Sequence, residues 1–332
     1  MSMLSNATTR EAGFMNPFEL NEGQAVRRVG LGCASFARDY STDADAEGGI
    51  RLAWERGVRY FDVAPMYGSG AAEHRLGMNL DGQPRDAFVV SSKVGRIVDD
   101  PDQNGVGERW HFDFTADGIK RSIEASLRRL RMDRIDILFI HDPNDHWETA
   151  INEAWPVLAD LRSQGVVRAI GAGMTQAPML ARFARETSMD LFLLAGRYSL
   201  LDRTALDEFF PTCLEKGMRV LVAQALHGGL IDGVPDPQLY YRPTTQETKD
   251  KVERIAAICH AHGIPTAAAA IQFPLAHPIV AGVLTGPSNT EQLGQNLDWL
   301  NTDVPPAVWS QLKEAGLLEP DSPVPGQEMQ AS

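Results

Sequence analysis

The chain has 332 residues, 43% of them hydrophobic and 23% charged, a composition that fits a globular protein and argues against disorder. A formal charge of −13 and a pI near 5.1 argue against nucleic acid or an anionic membrane as partner. No apolar run reaches the roughly 18 residues that a spanning helix needs.

Residues 1–24 carry no basic stretch followed by an apolar one, so no secretory leader is read there. They are polar, residues 319–332 are rich in Pro and Gly, and both ends are expected to trail over the surface of one domain spanning 25–318. Within that span, short β-branched runs at 29–35, 58–63, 88–94, 135–141, 166–172, 191–195, 219–223 and 279–284 read as strands. Helical stretches lie between them. Residues 115–130 place Ile119, Ile123, Ser126, Leu127 and Leu130 on one stripe behind Thr115 as N-cap. Residues 147–164 read as a second helix, closed by Gly165. Gly57, Gly165 and Gly217 each stand between a helical stretch and a strand, the punctuation of βαβ units.

About eight such units with no break in composition favour a closed (β/α)8 TIM barrel over a two-domain chain. The competing doubly wound sheet would carry G-x-G-x-x-G after the first strand. Here that strand runs into GLGCASFARD, which lacks the third glycine and any helix opening. Cys33, Cys213 and Cys259 are widely separated, with neither zinc spacing nor a disulfide framework, so reduced thiols and a cytoplasmic location are expected.

Barrel enzymes gather their chemistry at the C-terminal ends of the strands. The second strand ends at Asp62, with Tyr67 a few residues into its loop; the third ends near Lys93 and the fourth at His141 and Asp142. Singly, each has an ordinary explanation: a cap, a solvated lysine, a satisfied core histidine. Together on neighbouring strand ends they point to proton transfer. A phenol has a pKa near 10. An adjacent ammonium is expected to pull it down, a carboxylate would hold that ammonium, and His141 would orient the reacting oxygen. No metal-like cluster is present in the sequence.

The phrases RYFDVAPMYGSGAAEHRLG, SSKVGR, ILFIHDP and GVVRAIGAGM resemble the aldo-keto reductase family in order and spacing, over about residues 28–300. The resemblance implies that Tyr67, Asp62, Lys93 and His141 form the catalytic tetrad, and that a nicotinamide cofactor binds without a Rossmann motif. Within the family, LLAGRYSLLD, the segment ICHAHGIPTAAAAIQFPLAHPIVAGVLTGPSNTEQLGQNLDWL and WSQLKEAGL resemble the sugar-oxidising branch of D-threo-aldose 1-dehydrogenases and the related pyridoxal 4-dehydrogenase. A small-molecule sugar or pyridoxal-like substrate, oxidised to its lactone, is therefore expected.

By the same resemblance, cofactor contacts fall on Gly32 and Asp62, on Gly173 and Met174, on Gln224, Leu226 and Gly228, and on Gly286, Ser288, Gln292 and Asn296. Several depart from the family's pattern. Gly173–Met174 stands where a Ser-Asn pair usually holds the carboxamide, Ala195 replaces a Gln, and Gln224 replaces a stacking aromatic. Gln292 stands where NADP-dependent members carry Arg, and no Lys or Arg occurs between Arg254 and Lys313. A 2′-phosphate needs such charge, so NAD is expected over NADP. Trp110, Arg197 and Tyr198 are candidate substrate contacts, with Tyr240 and Tyr241 nearby in sequence to a further loop. Three alternatives stay open: an NADPH-dependent carbonyl reductase, a Schiff-base lyase using Lys93, and a cofactor-sensing regulatory subunit.

Overall fold

The computed structural model describes residues 28–37, 41–99, 109–231, 233 and 244–326, with the backbone of four two-residue strand segments outside those spans. Tyr240 and Tyr241 lie outside the described residues. Eight parallel strands form a closed barrel: β1 (Val29–Gly32), β2 (Tyr60–Asp62), β3 (Val89–Val94), β4 (Ile137–His141), β5 (Ala169–Met174), β6 (Leu191–Ala195), β7 (Arg219–Ala223) and β8 (Val280–Thr285). This is a (β/α)8 TIM barrel, as the sequence reading expects.

Alternate residues of each strand point inward and outward. The inward set, Tyr60, Val89, Ile137, Phe139, Ala169, Leu191, Leu193, Leu221, Ala281 and Leu284, fills the barrel. The outward set joins the helices in a larger core that includes Leu31, Phe61, Val90, Ile140, Phe192 and Val283. Large rings inside the barrel require small neighbours. A Cβ on Gly30 would lie 2.3 Å from Tyr60 Cδ1, so the glycine makes room for the Tyr60 ring.

Helix α1 (Asp43–Glu55) opens with a capping box in which Thr42 and Asp45 bond each other's backbone. Helix α2 (Ala71–Leu80) follows β2, and α3 (Ala116–Leu130) begins after the expected Thr115 cap. The expected helix over 147–164 forms as α4 (Trp147–Thr149), a π-helical turn (Ala150–Ala154) and α5 (Trp155–Ser163). Pro156 has no N–H to return to the carbonyl four residues back, and the hydrogen-bond register slips where it enters. Gly165 takes φ +73, and Val166 N then bonds Leu161 O. Val166 therefore closes the helix and is 51% exposed, so β5 starts at Ala169, later than the β-branched run indicates.

The C-terminal end also departs from expectation. Val324 is 2% exposed within the outer core, and Glu319 pairs with Arg203 at 2.5 Å. The packed chain therefore continues past residue 318. Among the described residues no helix is long and apolar enough to cross a membrane.

One ion pair is buried between the helix layer and the barrel wall. Glu73 of α2 accepts from Arg129 of α3 at 2.7 Å and from Ser92 of β3 at 2.7 Å. Removing one partner of such a pair leaves an uncompensated charge. Glu73→Ala is expected to destabilise the protein by about 3–5 kcal/mol in denaturant unfolding; a loss below about 1 kcal/mol would mean that water reaches Arg129.

Candidate active site

The inward parity of the strands brings the chemistry to one mouth of the barrel. Asp62 ends β2, Lys93 is the fifth residue of β3, and His141 ends β4. Their exposures are 4%, 1% and 7%. Tyr67 arrives from the turn after β2, where Tyr67 N bonds Ala64 O and Ala72 N bonds Tyr67 O at the start of α2. The three residues that follow it, Gly68, Ser69 and Gly70, all take left-handed φ, at 58°, 48° and 97°. The Ser69 hydroxyl is buried and accepts from Arg109 N at 2.9 Å, which offsets its unfavourable backbone.

Lys93 Nζ donates to Asp62 Oδ1 at 2.7 Å and to the Val63 carbonyl at 3.0 Å, and its remaining proton is on the side of the neighbouring Tyr67 phenol. Behind Asp62 the chain of hydrogen bonds continues: Ser91 Oγ donates to Asp62 Oδ2 at 2.7 Å and Tyr60 donates to Ser91 at 2.8 Å. The Tyr67 ring meets His141 edge-on at 6.0 Å, and Lys93 Nζ lies 4.7 Å from the Tyr67 ring centre.

Burial alone would lower the Lys93 pKa, but Asp62 and Tyr67 together hold the ammonium charged, above its ordinary value. The expectation for Tyr67 is corrected. Burial raises its pKa by more than Lys93 lowers it, so the phenol sits above 10 in the protein alone. His141 is held well below 6.5 by burial, with Lys93 and Arg96 adding to the shift, and is neutral at physiological pH. Asp142 is raised by burial against the pull of Arg96 and Lys93.

Residues 28–316 match the family model described as the aldo/keto reductase family. The chain belongs to that family. It is 38% identical over 315 residues to a D-threo-aldose 1-dehydrogenase from Pseudomonas sp, covering 89% of this chain and 96% of the relative. It is 33% identical over 328 residues to a pyridoxal 4-dehydrogenase from Microbacterium luteolum, covering 89% and 96%. Among solved structures, an aldo-keto reductase from Bacillus halodurans in its holo form superposes with a TM-score of 0.72 at 25% identity, covering 90% of this chain and 94% of that one.

As an oxidoreductase of this family, the aldo-keto reductase needs a berth for a nicotinamide cofactor, and the mouth of the barrel has suitable donors. After β7 the backbone turns through left-handed φ at Gln224 (59°), His227 (50°), Gly228 (63°) and Gly229 (94°). The N–H groups of His227, Gly229 and Leu230 bond back to carbonyls of the same turn, which leaves Gly228 N as the donor among the glycines of this turn. His227 is anchored beneath by Ser199 at 2.5 Å, which ties this loop to the one after β6. After β8, Asn289 caps helix α6 (Thr290–Trp299), Gln292 accepts from Ser288 N at 2.8 Å, and Asn296 donates to Thr285 at 2.6 Å. Gly32 and Gly286 lie side by side at the ends of β1 and β8, where a Cβ on Gly286 would meet Gly32 O at 3.7 Å. These residues fit an extended dinucleotide.

Other expectations change. The Met174 side chain is 2% exposed and packs in the outer core, so it is no contact for the carboxamide. Gly173 points toward Leu193 and Phe139 in the barrel. Leu226 packs against the outer core, whereas Gln224 is exposed. Tyr198 is 0% exposed, packed by Phe210, Phe273 and His277, and is removed from the substrate contacts. Arg197 is held by Asp202 at 2.8 Å and by the Thr175 carbonyl. Trp110 stands in the hairpin of Arg96–Val98 and Trp110–Phe112 above β3, its ring 4.7 Å from the Arg96 guanidinium. Sequence reasoning passed over Arg96, Phe112, Tyr60 and Ser91. Tyr60 and Ser91 share inward parity with Asp62 and Lys93 and were legible on that ground, whereas Arg96 depends on the hairpin.

Burial depresses His227 and His277 to about 4, as it depresses His141. In the unfolded chain these imidazoles titrate near 6.5. The unfolded state therefore binds more protons below pH 6.5, and stability is lost as pH falls from 6.5 towards 4. Urea unfolding is expected to show the free energy dropping across that window by roughly 3 kcal/mol for a group shifted as far as His227. His277→Gln should flatten the slope; a profile flat from pH 6.5 to 4.5 would contradict the depressed imidazoles.

Proposed function

We propose that this aldo-keto reductase is an NAD-dependent dehydrogenase that oxidises the hemiacetal carbon of an aldose, or of pyridoxal, to the lactone. The observation that carries it is the convergence of Tyr67, the Lys93 ammonium bonded to Asp62 and the Val63 carbonyl, and neutral His141 on one mouth of the barrel. A bound nicotinamide supplies the hydride acceptor. Tyr67, in its phenolate form, takes the proton of the anomeric hydroxyl; the nearby Lys93 ammonium favours that form against the opposing effect of burial. His141, neutral and nearly buried, donates from an imidazole N–H to the same substrate oxygen and fixes its direction. Asp62 holds Lys93 in place, while Ser91 and Tyr60 hold Asp62. Reduction of a carbonyl runs the same proton transfer backwards.

The names of the two relatives support oxidation. The stretch without Lys or Arg between Arg254 and Lys313, which includes the start of α6, supports NAD. A Schiff-base role for Lys93 requires a neutral amine, which Asp62 opposes.

Assays of NADH formation with L-fucose, D-arabinose, L-galactose, L-glucose and pyridoxal test the reading. Tyr67→Phe is expected to lower kcat about 10²–10⁴-fold while NAD affinity, measured by fluorescence quenching, stays within about threefold. Undiminished turnover by that variant would remove Tyr67 from the proton transfer. Gln292→Arg is expected to strengthen NADP binding about tenfold or more through a charge-assisted hydrogen bond. An unchanged NADP Kd would mean that the 2′-position lies elsewhere.

A further inference from the structure

The ion pair beside His141 has no part in the proton transfer just described. Asp142 follows His141 directly and takes φ +44, a left-handed conformation uncommon outside glycine. That turn folds its carboxylate back over the site, with Oδ2 3.6 Å from His141 Nε2. The same Oδ2 accepts from Arg96 Nη2 at 2.6 Å. The two side chains are 26% and 13% exposed, so the pair is open at one edge.

Arg96 is held rigidly. Its guanidinium lies 4.7 Å from the Trp110 ring centre and 5.0 Å from that of Phe112, and Nη1 faces Met66 Sδ, a weak acceptor, at 3.1 Å. Among the described residues no donor reaches Asp142 Oδ1 and no acceptor reaches Arg96 Nε. Nε is enclosed, so the pair's open acceptor is Asp142 Oδ1 and its donor capacity is the second proton on each of Arg96 Nη1 and Nη2. Phe112, 41% exposed, adds an apolar ring beside it.

We propose that the Asp142–Arg96 pair determines specificity by reading two adjacent hydroxyls of an aldose, those on C2 and C3 next to the reacting carbon. A hydroxyl donates and accepts at once. One hydroxyl of a vicinal diol donates to the Asp142 carboxylate while its neighbour accepts from Arg96, and the sugar's C–H face lies on Phe112. The placement follows from Asp142: His141 Nδ1 is enclosed, so Nε2 is the nitrogen left to meet the reacting oxygen, and the Asp142 carboxylate 3.6 Å from it meets the adjoining carbon's substituent. A substrate without the diol leaves a partly desolvated charge pair unmatched, a stronger penalty than a lost apolar contact. Of the substrates named above, this favours aldoses over pyridoxal. The inference rests on the dehydrogenase reading.

D-arabinose and 2-deoxy-D-ribose differ in the C2 hydroxyl, and they are compared with wild type and Asp142→Asn, a near-isosteric change that tolerates left-handed backbone. Wild type is expected to prefer D-arabinose by about 30-fold in kcat/KM, and Asp142→Asn to lose about 30-fold on D-arabinose but under about threefold on 2-deoxy-D-ribose. Calorimetric titration of the NAD-loaded protein with 1,5-anhydro-D-arabinitol, which has no anomeric hydroxyl to oxidise, gives a readout without turnover. Its affinity should fall about tenfold or more in Asp142→Asn. Equal losses on both sugars with unchanged calorimetric affinity would overturn the proposal and leave Asp142 as a positioning residue for His141. Wild type oxidising both sugars equally would overturn the diol reading while the dehydrogenase reading stands. If wild type oxidises neither sugar, the aldose reading fails, and the calorimetric comparison alone decides whether the pair binds a diol.

Discussion

The Lys93 ammonium is the constraint on which the rest of the site depends. A charge 1% exposed inside a barrel costs several kcal/mol unless it is paired and hydrogen-bonded. Here a carboxylate and a backbone carbonyl accept from it, with the Tyr67 phenol beside it. Satisfying the charge fixes Asp62 on the neighbouring strand, the exit of the chain at Val63 and the turn that delivers Tyr67. The geometry suited to proton transfer is thus the geometry that lets Lys93 be buried at all.

The barrel interior supplies the rigidity. Tyr60, Ser91, Asp62 and Lys93 are successive inward positions on two paired strands, so strand register, with Asp62 opposite Ser91, sets the hydrogen-bond chain. Gly30 clears space for Tyr60, which puts a residue of β1 in control of a hydroxyl three hydrogen bonds removed from Lys93. Above this floor the walls are irregular chain. The loop after β7 stores left-handed backbone at Gln224 and His227 and is braced from below by Ser199. Strained backbone held by a buried hydrogen bond is how a loop keeps its N–H groups aimed in one direction. The arrangement separates the labour: strands hold proton-transfer groups, and loops present what a dinucleotide and a substrate would touch.

Much of this was legible in the residues. Short β-branched runs separated by amphipathic stretches and closing glycines mark the eight strands, and β6 and β7 fall where the pattern puts them. Asp62, Lys93 and His141 stand at strand ends in the sequence, and strand ends of a parallel barrel must share a rim. The misplacements have identifiable causes. Val166 has the chemistry of a strand residue, but the hydrogen bond returning to Leu161 draws it into a helix end. Tyr198 looks like a polar wall for a ligand, yet three rings close over it. Met174 follows an inward glycine and so faces outward by parity alone.

What the sequence determined by itself is the barrel, the family and the rim on which an acid, an ammonium, an imidazole and a phenol gather, because these depend on periodicity and on residues placed at strand ends. What only the tertiary structure decided is the balance of forces at that rim: burial outweighing Lys93 at Tyr67, and Arg96 crossing from a hairpin to Asp142. Desolvation and long-range pairing depend on which atoms surround a group, and residues 46 apart become neighbours only when the hairpin and the barrel close on each other.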